Sequence, residues 1–341
     1  MARMRLRDIA AEAGVSPATV SKYLNGHHTE MSAATRERIA AVVERTGYRP
    51  NSVARNLRLD RSRTLGVVLA DIRNPYSSAM LEELSERAEA AGYVLTCAIS
   101  RNDAATEARA LDRLMEAGVD GLIVNTCGGN DRALLAVNRV APVVLLDRSL
   151  NVAEPDGGAS LDLVTSDNAR LVAELVREVA GAGCTRVHLL TEADATSSVR
   201  RERALTFMRE LAARGLAGST LCLAPSARDA AAQLAELAEA HDPLGLIAVN
   251  GLVFQQLVEA VSMTGLSVPE RLRIATFDEY PWNRALFGGV TTAAQDTRAI
   301  AAATLARLIG RIEDAQAAGA AQVQKVAGRV IRRTSTMSLV R

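Results

Sequence analysis

Residues 6–26 read LRDIAAEAGVSPATVSKYLNG, and their spacing decides how the chain begins to fold. Leu6, Ile9, Ala10 and Ala13 recur at helical intervals, which predicts a short amphipathic helix over Leu6–Ala13. Gly14 follows as a left-handed stop. Ser16 caps a second helix and Pro17 takes its first position, where a missing N–H is harmless. That helix turns Val20 and Leu24 inward, and Asn25-Gly26 breaks it. A third helix is predicted from Ser32 through Ile39, Val42 and Val43 to Thr46, with Gly47 as its stop. Two short helices joined by a glycine-containing turn make a helix-turn-helix, whose second helix enters the DNA major groove. A bare helical hairpin is the alternative. The exposed face of the second helix offers Pro17, Ala18, Ser21 and Lys22. Ser16, Thr19 and Asn25 suit phosphate oxygens, and Lys22 suits a guanine edge. Leu6 completes the candidate DNA-contacting set from this segment.

Charge is distributed to match. Residues 1–63 hold twelve Lys/Arg and six Asp/Glu, so they sum to +6, while the remainder holds 28 and 33 and sums to −5. The whole-chain value of +1 over 341 residues hides a basic head on an acidic body, and a basic head suits a polyanion. No apolar run reaches the roughly 18 residues that cross a membrane. The basic start lacks an apolar segment behind it, so no signal peptide and a cytoplasmic location are expected. Cys97, Cys127, Cys184 and Cys222 lie far apart without a CxxC pair, and buried thiols in a reducing compartment are expected rather than a metal or a disulfide. Of four histidines, His27, His28 and His241 fall in turns or helix ends, and His188 falls inside a predicted strand as a core residue. No nucleophile–base motif or nucleotide fingerprint follows any strand. Neither an enzyme nor a bound cofactor is therefore expected.

From Thr64 the pattern changes to strands alternating with helices. TLGVVLA (64–70), YVLTCAI (93–99), GLIVN (121–125) and PVVLLD (142–147) are short continuous apolar runs, separated by helices over Ser78–Ala91, Ala104–Ala117 and near Arg132–Asn138. A second series begins near Leu161, with strands RVHLLT (186–191), LGLIAVN (244–250) and LRIATFD (272–278). Its helices are expected at Ser166–Ala180, Arg200–Arg214, Asp229–Ala240 and Leu252–Thr264. The fold class is α/β: a small all-α head followed by two doubly wound parallel-sheet lobes. Ligands of such sheets sit beyond the carboxyl ends of strands. Those ends carry Asn125, Asp147, Asn250 and Asp278, each of which reads equally as a turn cap or as a partner for a polyhydroxyl ligand.

The head segment, with TRERIAAVVERTGYRPNSVARNLR at 35–58, closely resembles the LacI/GalR repressor family. The resemblance continues through DIRNPYSS (71–78), RERALTF (201–207), TFDEYPW (276–282) and VTTAAQD (290–296). It implies a homodimer on a pseudo-palindromic operator, with a periplasmic-binding-protein-like body that senses a small sugar or sugar acid. It also implies three chain crossings between lobes. The expected domains are a head over 1–48, a hinge over 49–62, a first lobe over 63–160 plus 293–322, and a second over 161–292 plus 323–341. Pro50 interrupts the third helix, and Asn51 can cap a short helix that is marginal alone. The family places such a hinge in the minor groove, with Leu57 as a wedge beside Ala54 and Arg55. A plain linker is the alternative. The resemblance adds Arg203 to Asp147, Asn250 and Asp278 as effector contacts, although Thr206 stands where the family usually has glycine. Asn74, Tyr76 and Ser77 match more loosely, and Trp282 either stacks on a sugar ring or packs between lobes. SSVRRERALTF, NTCGGN, FDEYPW and Asn250-Gly251 together resemble the ketodeoxygluconate and uronate-catabolism branch. A sugar acid suits Arg203 and Arg148, because a guanidinium clamps a carboxylate with two hydrogen bonds. The end, STMSLVR, has no leucine heptads, so a dimer without a tetramerising tail is expected. A transporter's solute-binding receptor shares the lobes but needs a signal peptide and lacks the head.

Overall fold

The computed structural model describes residues 4–24, 30–47, 61–151, 161–192, 197–241, 243–314 and 319–337. The chain divides into two compact units, Met1–Ser62 and Arg63–Arg341. In the first, α1 (Leu6–Glu12), α2 (Pro17–Leu24) and α3 (Ala33–Thr46) enclose Ile9, Ala10, Ala13, Val20, Ile39 and Val42. The local chemistry acts as the sequence requires. Gly14 lies at φ +63°, the Ser16 hydroxyl accepts from the Thr19 amide at 3.1 Å, and the Ser32 hydroxyl accepts from the Thr35 amide at 3.2 Å. Gly47 ends α3 in the left-handed region at φ +60°. The expected Asn25-Gly26 break and the hinge lie outside the described residues.

The second unit is built on two six-stranded sheets. The first contains β1 (Thr64–Leu69), β2 (Val94–Ile99), β3 (Gly121–Val124), β4 (Val143–Leu146), β5 (Asp162–Ser166) and β11 (Val323–Val326). Their order is β11-β5-β4-β3-β1-β2, and every pairing is parallel. The second contains β6 (Arg186–Thr191), β7 (Ala217–Cys222), β8 (Leu244–Ala248), β9 (Leu272–Phe277), β10 (Thr291–Ala294) and β12 (Arg329–Ile331), in the order β12-β10-β9-β8-β6-β7. Only β12 runs antiparallel. Helices α4 (Pro75–Ala90), α5 (Ala104–Glu116), α6 (Asp131–Val137) and α11 (Thr297–Glu313) accompany the first sheet. Helices α7 (Asn168–Gly181), α8 (Ser198–Arg214), α9 (Ala227–Ala240) and α10 (Gly251–Thr264) accompany the second. Strands buried on both faces explain the continuous apolar runs. Among the described residues, no helix is long and apolar enough to cross a membrane.

The structure differs from the sequence reading at several points. Residues 162–166 belong to the first sheet rather than opening the second lobe, and residues 323–326 also return to the first. A doubly buried strand has the same composition in either sheet, so periodicity cannot assign it. Strand β10 keeps residues 293–294 in the second sheet, so the crossing back falls at Gln295. Helix α4 starts three residues early, because Asn74 caps it and Pro75 takes its first turn. The edge strands β2 and β7 leave Cys97 and Cys222 exposed, while Cys127 and Cys184 are buried. The strand β7 also lay outside the sequence expectation, since AGSTLC lacks an apolar run.

Asp162 ties the returning segment to the first sheet. Its carboxylate accepts from Arg311 Nε at 2.7 Å, from Arg307 Nη2 at 2.9 Å and from the Gln322 amide at 2.8 Å. Burial pushes its pKa up, but these hydrogen bonds outweigh burial and hold it below the usual carboxylate range. Its stabilisation is thus present above the unfolded value of about 3.9 and is lost as pH falls through the lower folded value. Asp162→Ala is expected to remove about 3 kcal/mol at pH 7, the low end for breaking a buried pair. Urea titrations at neutral and acid pH check this. The gap from wild type should narrow in acid, and an equal gap at both pH values would show that charge contributes nothing.

Candidate functional site

Two groups of residues carry chemistry, one in each unit. On α2, Ser16, Pro17, Ala18 and Lys22 are exposed, while Thr19 and Ser21 are half-buried. Lys22 Nζ pairs with Glu30 at 2.5 Å, with both side chains about half exposed. Such a pair contributes little and exchanges readily for another anion. Leu6 is half-buried and packs on the core of the first unit. Asn25, Asn51, Ala54, Arg55 and Leu57 lie outside the described residues.

In the second unit, the carboxyl ends of both sheets converge on Arg203, which projects from α8. It is only 4% exposed. Its Nε donates to Asn168 Oδ1 at 2.8 Å and its Nη1 to the Val249 carbonyl at 2.6 Å. The guanidinium carbon sits 3.8 Å from the centroid of the Phe277 ring, a cation–π contact. Nη2 makes no hydrogen bond among the described residues. Burial pulls the Arg203 pKa down, while Asp147 and Asp278 hold it up.

These two aspartates end β4 and β9 in matching fashion. Asp147 lies at φ +66° and Asp278 at φ +72°, in the left-handed region that aspartate tolerates better than most residues. Burial raises the pKa of each, and Arg203 opposes the shift in both. Asp147 also accepts from Thr165 Oγ1 at 3.4 Å. Asp278 accepts from Gln295 Nε2 at 2.5 Å, and Ser166 Oγ donates to Gln295 Oε1 at 2.6 Å. Gln295 therefore joins a carboxylate at the end of the second sheet to the end of β5 in the first.

The remaining expected residues divide by what they already bind. Asn125 Nδ2 donates to the Leu146 carbonyl at 2.9 Å, linking β3 to β4. Asn250 is engaged at both ends: Oδ1 caps α10 through the Val253 amide at 2.9 Å, and Nδ2 donates to Glu192 at 3.0 Å. Glu192 in turn pairs with Arg200. Asn74 caps α4, accepting from the Tyr76 amide at 3.2 Å. Ser77 is buried in the same turn. Tyr76 is buried beside Asp147, Asp278 and Arg203. Trp282 is 40% exposed and stacks on Tyr280 with centroids 4.7 Å apart, lining a groove of about 230 Å³ with Phe254, Val258 and Leu286. Arg148 Nη1 is held by Asn102 Oδ1 at 3.1 Å and the Thr126 carbonyl at 3.2 Å. Nε and one N–H of Nη1 are committed to protein acceptors, so the N–H groups of Arg203 left for a ligand carboxylate are the two on Nη2 and the second on Nη1.

Sequence reasoning missed Asn168, Glu192, Tyr280 and Gln295. Three of them had a signal. Asn168 and Gln295 follow strands that carry the chain between lobes, and Tyr280 stands two residues beyond Asp278 in a motif already recognised. Glu192 had none, since its role depends on Arg200 and Asn250 approaching from other elements.

Comparison with known proteins follows this division. Residues 5–51 match the bacterial regulatory proteins of the lacI family, and residues 176–336 match the periplasmic binding protein-like domain. The HTH-type transcriptional regulator PtxS of Pseudomonas plecoglossicida is 36% identical over 317 residues, covering 92% of this chain and 91% of its own. The HTH-type transcriptional regulator KdgR of Bacillus subtilis (strain 168) is 31% identical over 336 residues, covering 97% of each. The KdgR relative supports the branch read from the sequence. In fold, the chain is similar to the lac repressor dimer bound to operator and the anti-inducer ONPF, with a TM-score of 0.83 at 22% identity over 99% of this chain and 100% of that one. The chain thus belongs to the lacI family of bacterial regulatory proteins, as a helix-turn-helix transcriptional regulator with a periplasmic-binding-protein-like body.

Proposed function

We propose that this regulator is a cytoplasmic repressor that binds a pseudo-palindromic operator as a homodimer and is controlled by a sugar acid held between its lobes. One observation carries the effector site: Arg203 is buried between Asp147 and Asp278, fixed on three sides, with Nη2 left for a ligand. Carboxylates accept from sugar hydroxyls, and the remaining guanidinium N–H groups donate to an acidic or keto oxygen. Asn74, Tyr76, Ser77, Asn125 and Asn250 shape the surrounding crevice, and Trp282 supports it through Tyr280. In the head, Ser16, Pro17, Ala18, Thr19, Ser21 and Lys22 meet the major groove and its flanking phosphates, with Leu6 and Asn25 beside them. Asn51, Ala54, Arg55 and Leu57 form the hinge in the minor groove. Effector binding changes operator affinity by as much as the effector distinguishes the two states of the dimer.

A gel shift on the DNA upstream of the protein's own gene tests the reading. Hexuronates or 2-keto-3-deoxygluconate should change the shift where neutral hexoses do not, and a response to neutral sugars alone would sink the acid assignment. Leu57→Ala should weaken operator binding far more than binding to random DNA, because a wedge into the central step acts only when the hinges are ordered on the operator. Equal losses on both DNAs would make the hinge a tether.

The raised pKa of Asp147 gives a third expectation. A folded value above the unfolded one means that the fold favours the protonated form. That preference stabilises fully below about pH 3.9 and is lost as pH rises through the elevated value. At pH 7 the ionised carboxylate therefore weakens the unliganded fold. Asp147→Asn should raise the thermal midpoint, by about 2–4 °C per kcal/mol relieved, and weaken effector binding. A lower midpoint in calorimetry would show that Asp147 stabilises the unliganded protein.

A further inference from the structure

Two buried phenols stand beside the proposed effector cleft. Tyr76, in the first turn of α4, is 7% exposed, and Tyr280, after β9, is 8% exposed. Among the described residues neither hydroxyl has a hydrogen-bond partner in good geometry. They come from opposite lobes, yet each feels the charges of Asp278 and Arg203, and the two feel each other. The Tyr280 hydroxyl stands near the Asp278 carboxylate, whose charge and a side-chain hydrogen bond too poorly aligned to satisfy the hydroxyl both raise its pKa. A buried hydroxyl without a partner is unfavourable, so a native fold that keeps two together needs a reason.

Gly251 supplies the space for one of them. A Cβ at this position would stand 2.9 Å from Tyr280 Cε2, 3.2 Å from its hydroxyl and 3.5 Å from Pro75 Cδ. The Asn250-Gly251 sequence thus admits the Tyr280 ring at the point where α10 meets α4. The ring is braced from behind by Trp282.

Resting on the effector reading above, we propose that Tyr76 and Tyr280 jointly donate hydrogen bonds to an acceptor oxygen of the effector, its carboxylate or adjacent keto group, and that Gly251 sets this specificity by making room for Tyr280. Burial and the neighbouring carboxylates push both phenol pKa values up, which keeps the hydroxyls protonated as donors. They add to the N–H groups of Arg203 that Asn168 and Val249 leave unbonded, so the effector's acidic end would meet phenol as well as guanidinium donors. The aspartates are left for the effector's hydroxyls. A neutral polyol has hydroxyls for the aspartates but no strong acceptor for the phenols.

Calorimetry on the full-length protein tests this, with D-galacturonate, D-glucuronate and 2-keto-3-deoxygluconate as acid probes and galactitol as the neutral one. Tyr76→Phe and Tyr280→Phe should each weaken acid binding about tenfold or more, as loss of a hydrogen bond to a charged group does, and leave galactitol unaffected. Gly251→Ala should show the same acid-specific loss. Combined with Tyr280→Phe it should add little, since both act through one hydroxyl. Wild-type acid affinity in both phenylalanine variants, with binding abolished by Asp278→Asn, would overturn the phenol assignment and leave the cleft reading intact. Unchanged binding in Asp278→Asn as well would remove the cleft reading itself. A wild-type protein that binds none of the acids refutes the acid class and the donor pair with it.

Discussion

A single guanidinium, buried where two sheets meet, sets the terms for the rest of this body. An isolated charge in that position would be costly, by several kcal/mol even after relaxation. Arg203 is tolerated because, Nη2 apart, it is answered by several elements: Asn168 from the start of α7, the Val249 carbonyl from the end of β8, the Phe277 ring from β9, and the Asp147 and Asp278 charges from the two lobes. Two of these, Asp147 and Asn168, depend on how the first sheet ends. The position of one side chain on α8 therefore depends on the lobes being held together as they are.

The same arrangement leaves the cluster unbalanced. Two carboxylates face one arginine, and burial disfavours the ionised form of each. Both sit at positive φ, where the chain turns sharply at the end of a strand. Sites that combine backbone strain with poorly solvated charge are usually maintained because a ligand completes them. On the proposed reading, hydroxyl donors on a sugar would answer the carboxylates and a ligand oxygen the Tyr76 and Tyr280 hydroxyls. On that reading a ligand would stabilise the cleft, and it would shift a conformational equilibrium by as much as it favours one state over the other.

Local chemistry was legible in the sequence and long-range assignment was not. The caps Ser16 and Ser32 and the stops Gly14 and Gly47 act within four residues of themselves, and the first unit follows them closely. The strand ends were equally readable, since an apolar run finishing in Asn or Asp is a local pattern. That pattern does not say whether the side chain is already spoken for. Asn125 and Asn250 look alike on paper, yet Asn250 is used at both ends and Asn125 donates to backbone. Nor does it say which sheet a buried strand joins. Residues 162–166 lie in the first sheet because Asp162 is gripped by Arg307 and Arg311, which come from a helix far along the chain.

The crossings between lobes show why that misplaced strand matters for function. After β5 the chain passes to α7 through Ser166, Asp167 and Asn168; after β10 it returns through Gln295 and Asp296; after β11 it crosses again through Gly328. Asn168 holds Arg203, and Gln295 holds Asp278 while accepting from Ser166. Gly328 lies against the last residue of β10, where a Cβ would meet the Ala294 carbonyl at 2.7 Å. The segments that join the lobes are therefore the ones that position the charged centre of the cleft. A ligand that draws Asp278 or Arg203 toward itself pulls on two crossings directly and on the third through its packing against β10. Had β5 belonged to the second lobe, the first crossing would fall before Asp162, and Ser166 would have no crossing to report to. Its place at the end of the first sheet makes the Ser166–Gln295–Asp278 chain a link between lobes rather than a brace within one.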